Sequence, residues 1–157
     1  MPKPPWIKIR PPSGEKYLIL KKTIEELKLN TVCSGARCPN IGECWTHGTA
    51  TFMILGSICT RNCRFCAVRK GKDGEPLDPS EPERIAHAVE KMGLKYAVLT
   101  SVDRDDMPDG GAEHFANCIR SIKNLDSSIT VEALIPDFQG DDSCLKKIID
   151  AKPDVAG

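Results

Sequence analysis

From Thr49 onward, short apolar, β-branched runs alternate with amphipathic helical segments, and no other feature restricts the fold of this chain as much. Thr49–Leu55 reads as a buried strand. Ser80-Glu81-Pro82-Glu83 has the Ser-x-x-Glu form of a capping box, opening a helix with Ile85, Ala88, Val89 and Met92 on one face and Gly93 as its stop. Tyr96–Val102 is a second strand. A helix from about Ala112 to Asn124 turns Phe115, Ile119 and Ile122 inward. Ile129–Ile135 is a third strand, Ser143–Ala151 a third helix, and Pro153–Ala156 the first residues of a fourth strand. Strands alternating with helices argue for an α/β fold with a parallel sheet and right-handed crossovers. Near-continuous apolar strands predict a sheet buried on both faces. The polar segments 56–66, 103–111 and 136–140 each follow a strand, and in such sheets and barrels sites assemble at the carboxyl ends.

Composition narrows the function. The 157 residues include 22 basic and 22 acidic side chains, so no net charge draws the chain to nucleic acid or an anionic membrane. The longest apolar stretch, near Ala50–Leu55, is too short to span a bilayer. The start, Met-Pro-Lys-Pro-Pro-Trp, has no apolar signal core, so the expected location is the cytoplasm. Five prolines within residues 1–14 predict an extended surface arm, and Tyr17–Leu29 a short helix.

Eight cysteines in a chain without a secretion signal argue for metal rather than for a disulfide framework. Six of them form two triads: Cys33, Cys38 and Cys44 at C-x4-C-x5-C, and Cys59, Cys63 and Cys66 at C-x3-C-x2-C. The Gly, Pro and Asn around the first triad predict a loop. Structural zinc takes four ligands, commonly in two close pairs, and neither triad supplies them; a catalytic zinc held by three thiolates without His is an unusual set. Iron–sulfur clusters are held by close runs of thiols, and a cube held by three keeps one iron open to another ligand. Asp103, Arg104, Asp105 and Asp106 could form a solvated charged loop, but their place after the second strand, followed by Gly110 and Gly111, favours a cofactor site, with the glycines allowing close backbone approach. Glu132 lies inside an apolar strand, where an unpaired carboxylate is costly, so it needs Arg or a cofactor as partner. Cys118 and Cys144 read as core packing, Trp45 as a cover for the first cysteine loop, and His47 as a supporting group; His87 and His114 receive no role.

The second triad, with Phe65 just before its last Cys, resembles the radical S-adenosylmethionine (SAM) signature. The first triad narrows this. Thr31-Val-Cys33, Ala36-Arg-Cys38-Pro-Asn-Ile-Gly-Glu-Cys44-Trp45, Gly48–Gly56, Leu99–Ala112 and Val131–Phe138 look like the lipoyl synthase family, over nearly the whole chain. The resemblance implies a partial (β/α) TIM-type barrel of radical SAM type over 48–157, preceded by a cysteine-rich extension over 1–47. It implies two [4Fe–4S] clusters and S-adenosyl-L-methionine. Cys59, Cys63 and Cys66 would hold the reducing cluster, and Cys33, Cys38 and Cys44 an auxiliary cluster that is spent as sulfur donor. Phe65, Ser101, Asp103, Asp105, Gly110, Gly111 and Glu132 would line the cofactor. The implied reaction inserts two sulfur atoms at C6 and C8 of a protein-bound octanoyl-lysine. The implied partners are octanoylated lipoyl-carrier domains, an electron donor and an iron–sulfur carrier protein, with no nucleic acid and no membrane. The chain departs from the pattern at Ser34-Gly35, where acidic residues are usual, and at Ser57, where Asp is usual. It stops where a fourth strand begins, before the family's second half-barrel and the C-terminal serine that ligates the auxiliary cluster, so it reads as an N-terminal part, inactive alone. Two other readings stand beside this one: a sulfur-inserting radical enzyme of the biotin synthase kind, and a non-catalytic iron–sulfur or zinc carrier.

Overall fold

The computed structural model describes residues 14–36, 38–47 and 49–157. The proline-rich arm therefore lies outside the described residues, apart from Gly14. In chain order the elements are α1 (Glu15–Glu26), β1 (Asn30–Thr31), α2 (Val32–Gly35), α3 (Ile41–Thr46), β2 (Thr51–Ile54), β3 (Ile58–Cys59), β4 (Arg69–Lys70), α4 (Glu81–Lys91), β5 (Tyr96–Ser101), α5 (Ala112–Leu125), β6 (Thr130–Leu134), α6 (Asp142–Asp150) and β7 (Val155–Ala156).

The main sheet runs β1-β2-β5-β6-β7. β2, β5, β6 and β7 are parallel neighbours in chain order, joined through α4, α5 and α6, while β1 lies antiparallel on the outer edge of β2. Successive parallel strands laid side by side with helical crossovers are the arrangement of an opened (β/α) barrel. The row Phe52, Ile54, Ala97, Leu99, Val131 and Ala133 is buried. It faces the helices, whose inward residues include Ile85, Val89, Phe115, Ile119, Ile122 and Ile148. Val98, Thr100, Glu132 and Leu134 belong to the alternate row and are half-buried or exposed. The expectation of burial on both faces is thus corrected: β5 and β6 bury one face only.

Two local expectations also change. The first cysteine segment is not plain loop but holds α2 and α3. Thr31 caps α2 through its hydroxyl, which accepts from the Ser34 N–H at 3.2 Å. The capping box at Ser80 does not form. Asp78 instead accepts from both the N–H and the hydroxyl of Ser80, at 2.9 and 2.7 Å, and Pro82 starts α4. The carboxylate two residues upstream takes the hydroxyl that the capping box required. α5 is likewise capped from outside its own N-cap residue: Asp109 accepts from the N–H groups of Gly111 and Glu113, each at 3.0 Å.

Candidate functional site

The loop carrying the second triad leaves β2 and is closed by a small parallel pair, β3 with β4, in which Ile58 faces Arg69 and Cys59 faces Lys70. The Gly71 N–H bonds the Cys59 carbonyl, and the Cys66 N–H the Cys63 carbonyl. Lys70 Nζ donates to the Cys63 carbonyl at 3.0 Å. Cys59 is buried, whereas Cys63 and Cys66 are half-buried. Phe65 is 94% exposed, an unusual position for a large apolar ring.

The loop is fastened to the carboxyl ends of β5 and β6. Thr60 donates its N–H and hydroxyl to the Asp103 carbonyl and accepts the Asp105 N–H. Arg61, inside the C-x3-C interval, forks onto Asp105 (2.8 and 3.0 Å) and onto Asp137 (2.8 and 2.7 Å). Charge-assisted bidentate pairs are among the strong hydrogen bonds. Hydrogen bonds from Arg61 hold the Asp105 carboxyl below its ordinary value and pull that of Asp137 down to about 2. Arg61 itself is pushed up, first by Asp105 and then by Asp137. Asp103 lies 3.6 Å from Arg61 Nε, and its Oδ2 is 3.7 Å from Cys59 Sγ.

Of the residues expected to line a cofactor, Phe65, Asp103 and Asp105 gather around this loop. The others do not all follow. Ser101 belongs to the helix-facing row of β5, and its Oγ is buried without a hydrogen-bond partner. Glu132 is on the open row, and among the described residues its partner is not Arg but the Tyr96 hydroxyl, which donates to it at 2.7 Å. That bond raises the phenol of Tyr96. Both glycines sit against side chains that leave little room for a Cβ. Gly111 has φ of 83°, and a Cβ there would sit 2.5 Å from Leu55 Cδ1, while one at Gly110 would meet Phe138 at 3.2 Å.

The first triad lies where α2 and α3 meet. The Cys38 N–H bonds the Cys33 carbonyl at 3.0 Å, and Cys33 is buried. Burial pushes the Cys44 thiol up, and the neighbouring Cys33 and Cys38 push it further. A thiol held up in this way beside two others is a donor set that cationic iron would relieve. Trp45 is buried and packs with Tyr17, ring centroids 5.3 Å apart, tying the triad to α1. His47 turns back on its own helix through Nδ1 and the Glu43 carbonyl. Cys118 and Cys144 are buried, as core packing requires.

Among the described residues, neither triad brings its three sulfurs within 4.8 Å of one another. Thiolates around one zinc would lie about 3.8 Å apart, given Zn–S bonds of about 2.3 Å. Close runs of three thiols are the donor set by which iron–sulfur clusters are held.

The sequence alone assigns no site role to Arg61, Asp137, Glu81 or His114. The signal for Arg61 is charge: 58–72 carries Arg61, Arg64, Arg69, Lys70 and Lys72, and 103–109 carries four aspartates. His114 and Glu81 gave no local sign. They meet across α4 and α5, His114 Nε2 lying 2.7 Å from Glu81 Oε2, with Cys118 beside them.

An opened (β/α) sheet with a three-thiol loop after its first parallel strand defines a class, and the chain belongs to the radical SAM superfamily, whose model matches residues 53–157. Membership implies an iron–sulfur cluster and S-adenosylmethionine as cofactors. The model for the N-terminal domain of lipoyl synthase matches residues 2–38. The chain is 58% identical to the lipoyl synthase of Thermus thermophilus, over 98% of its own length and 47% of that protein. It is 57% identical to that of Natronomonas pharaonis, over 98% of this chain and 50% of the relative. It is 58% identical to the chloroplastic lipoyl synthase of Ostreococcus lucimarinus, over 88% and 44%. The chain spans about half the length of these curated relatives. No helix among the described residues is long and apolar enough to cross a membrane.

Proposed function

We propose that this chain is the N-terminal part of a lipoyl synthase, which inserts sulfur at C6 and C8 of an octanoyl-lysine on a carrier protein. The observation that carries the reading is the 58% identity to a lipoyl synthase across 98% of the chain. A biotin synthase-like enzyme has no need of the first triad, and a simple carrier has no need of an open coordination position.

In this reading Cys59, Cys63 and Cys66 hold the reducing cluster and Cys33, Cys38 and Cys44 the auxiliary one. With S-adenosylmethionine bound, the reducing cluster supplies a carbon radical able to take hydrogen from an alkyl chain. Alkyl C–H bonds are not acidic enough for a general base, so the chain's own residues bind and orient rather than move protons. Arg61 fixes the loop between Cys59 and Cys63 to two strand ends. Asp103 is available to polar groups of the cofactor, and Phe65 offers an apolar face to its base. Residues 1–47 act as the module for the auxiliary cluster, and 48–157 as the core. Octanoylated carrier domains, an electron donor and an iron–sulfur carrier are the partners this chemistry needs.

The test is the full-length protein, reconstituted anaerobically and given reductant, S-adenosylmethionine and an octanoyl-lysine peptide. Release of 5′-deoxyadenosine together with a peptide carrying two sulfurs is expected. Zinc in place of iron, or a cluster indifferent to S-adenosylmethionine, would sink the proposal in favour of a carrier.

A further inference from the structure

We propose that Glu81 and Arg104 are positioning residues that clamp the Leu55 peptide from its two sides and thereby set how the Cys59 loop leaves the sheet. The inference rests on the reading that Cys59, Cys63 and Cys66 hold a cluster. Leu55 ends β2 with φ of 69°, in the left-handed region that a branched side chain rarely adopts, and Gly56 follows with φ of 100°. The Leu55 N–H donates to Glu81 Oε2 at 3.0 Å, and its carbonyl accepts from Arg104 Nη1 at 3.2 Å. The side chains of Glu81 and Arg104 are only 7% and 5% exposed, so both are withdrawn from water to hold the main chain of one residue.

Each jaw is itself held. His114 Nε2 lies 2.7 Å from Glu81 Oε2 and fixes that carboxyl from the α5 side. Arg104 forks onto Asp106 through Nε and Nη2, both at 2.8 Å. The segment before α4 adds a third grip: Glu75 accepts the Ser57 N–H at 2.6 Å and the Ser57 hydroxyl at 3.2 Å. Two residues beyond Ser57 is Cys59, and one residue before Arg104 is Asp103, which meets the Cys59 sulfur. The clamp thus joins the loop after β2 to the loop after β5 beneath the thiols. Glu81, His114 and Cys118 also have the donors of a metal site, within 4.8 Å of one another. Glu81 Oε2 is already engaged by Leu55 and His114, however, and burial, with Glu81 adding to it, pushes the Cys118 thiol well up. The trio anchors Glu81.

The test uses the full-length protein with Glu81→Gln, with the paired Arg104→Gln/Asp106→Asn, and with each combined with Leu55→Gly, glycine being free to take a left-handed φ. In the metal-free protein, amide exchange over residues 55–59 is expected to quicken about tenfold in Glu81→Gln, with β5, β6 and α6 unchanged, and by less than about threefold when Leu55→Gly is the background. In the reconstituted protein, the change in the EPR spectrum of the reduced cluster on adding S-adenosylmethionine weakens in Glu81→Gln and returns in the double variant. If Glu81→Gln does not fold, the neutralised Arg104/Asp106 pair reads the same quantities. Unchanged exchange at 55–59, a uniform rise across the protein, or misfolding that Leu55→Gly does not rescue would each overturn the clamp. A wild-type protein that shows the protected 55–59 segment but binds no iron strikes at the cluster reading alone.

Discussion

At the scale of single residues, Arg61 carries the most consequence. Its two forks make the interval between Cys59 and Cys63 part of the frame of the sheet. Arg61→Ala is expected to leave folding intact, since the site is at the surface, but to lower the iron retained by the second triad after gel filtration. Lysine is expected to restore little, because a point charge cannot fork onto two carboxylates. Acid acts on the same ties. The carboxyls of Asp106 and Asp137 are both drawn down to about 2, first by hydrogen bonds from Arg104 and Arg61 respectively. A depressed carboxyl stabilises the fold fully above its unfolded pKa, near 3.9, and loses that contribution as pH falls toward 2. Urea unfolding midpoints are therefore expected to drop between about pH 4 and pH 2, and less steeply in Asp106→Asn. Gly111→Ala is expected to cost more than about 1 kcal/mol, since φ of 83° and the Leu55 side chain both oppose a Cβ. The cysteines were legible singly because spacing along the chain is itself their message. Arg61 and His114 were not, because each takes its meaning from a carboxylate reached only through the fold.

The elements show where local pattern suffices and where it does not. The parallel strands and α4 to α6 follow the apolar periodicity, and their bounds differ from the expected ones by a residue or two at most places. α2 and α3 escaped because helices of four and six residues show little periodicity; side-chain and backbone bonds within a Gly- and Pro-bearing stretch make them. The same contrast separates two helix starts. Asp141 caps α6 by accepting the Ser143 N–H at 2.8 Å, so Asp141→Ala is expected to cost about 1 kcal/mol by chemical denaturation. Ser80 fits the sequence rule but caps nothing, so Ser80→Ala should cost less than Asp78→Ala. Phe115, fully buried between α5 and the sheet, is expected to cost about 3–5 kcal/mol when cut to Ala.

For the whole molecule, the open row of β5 and β6 matters most. Leu134 and Val155 are 39% and 43% exposed, so this chain alone is expected to bind an apolar dye such as ANS, and a longer chain that covers the row to bind less. The order of the strands has a further effect, on folding speed. Thr51 pairs with Val98, so β2 and β5 join only after the cysteine loop and α4 have been looped out between them. Such long-range parallel pairing is slow to form. Throughout that delay the thiols lie on unframed chain, where any two can collide and oxidise. Refolding in air is therefore expected to trap scrambled disulfides, seen as a ladder on a non-reducing gel, and refolding with excess thiol to abolish it.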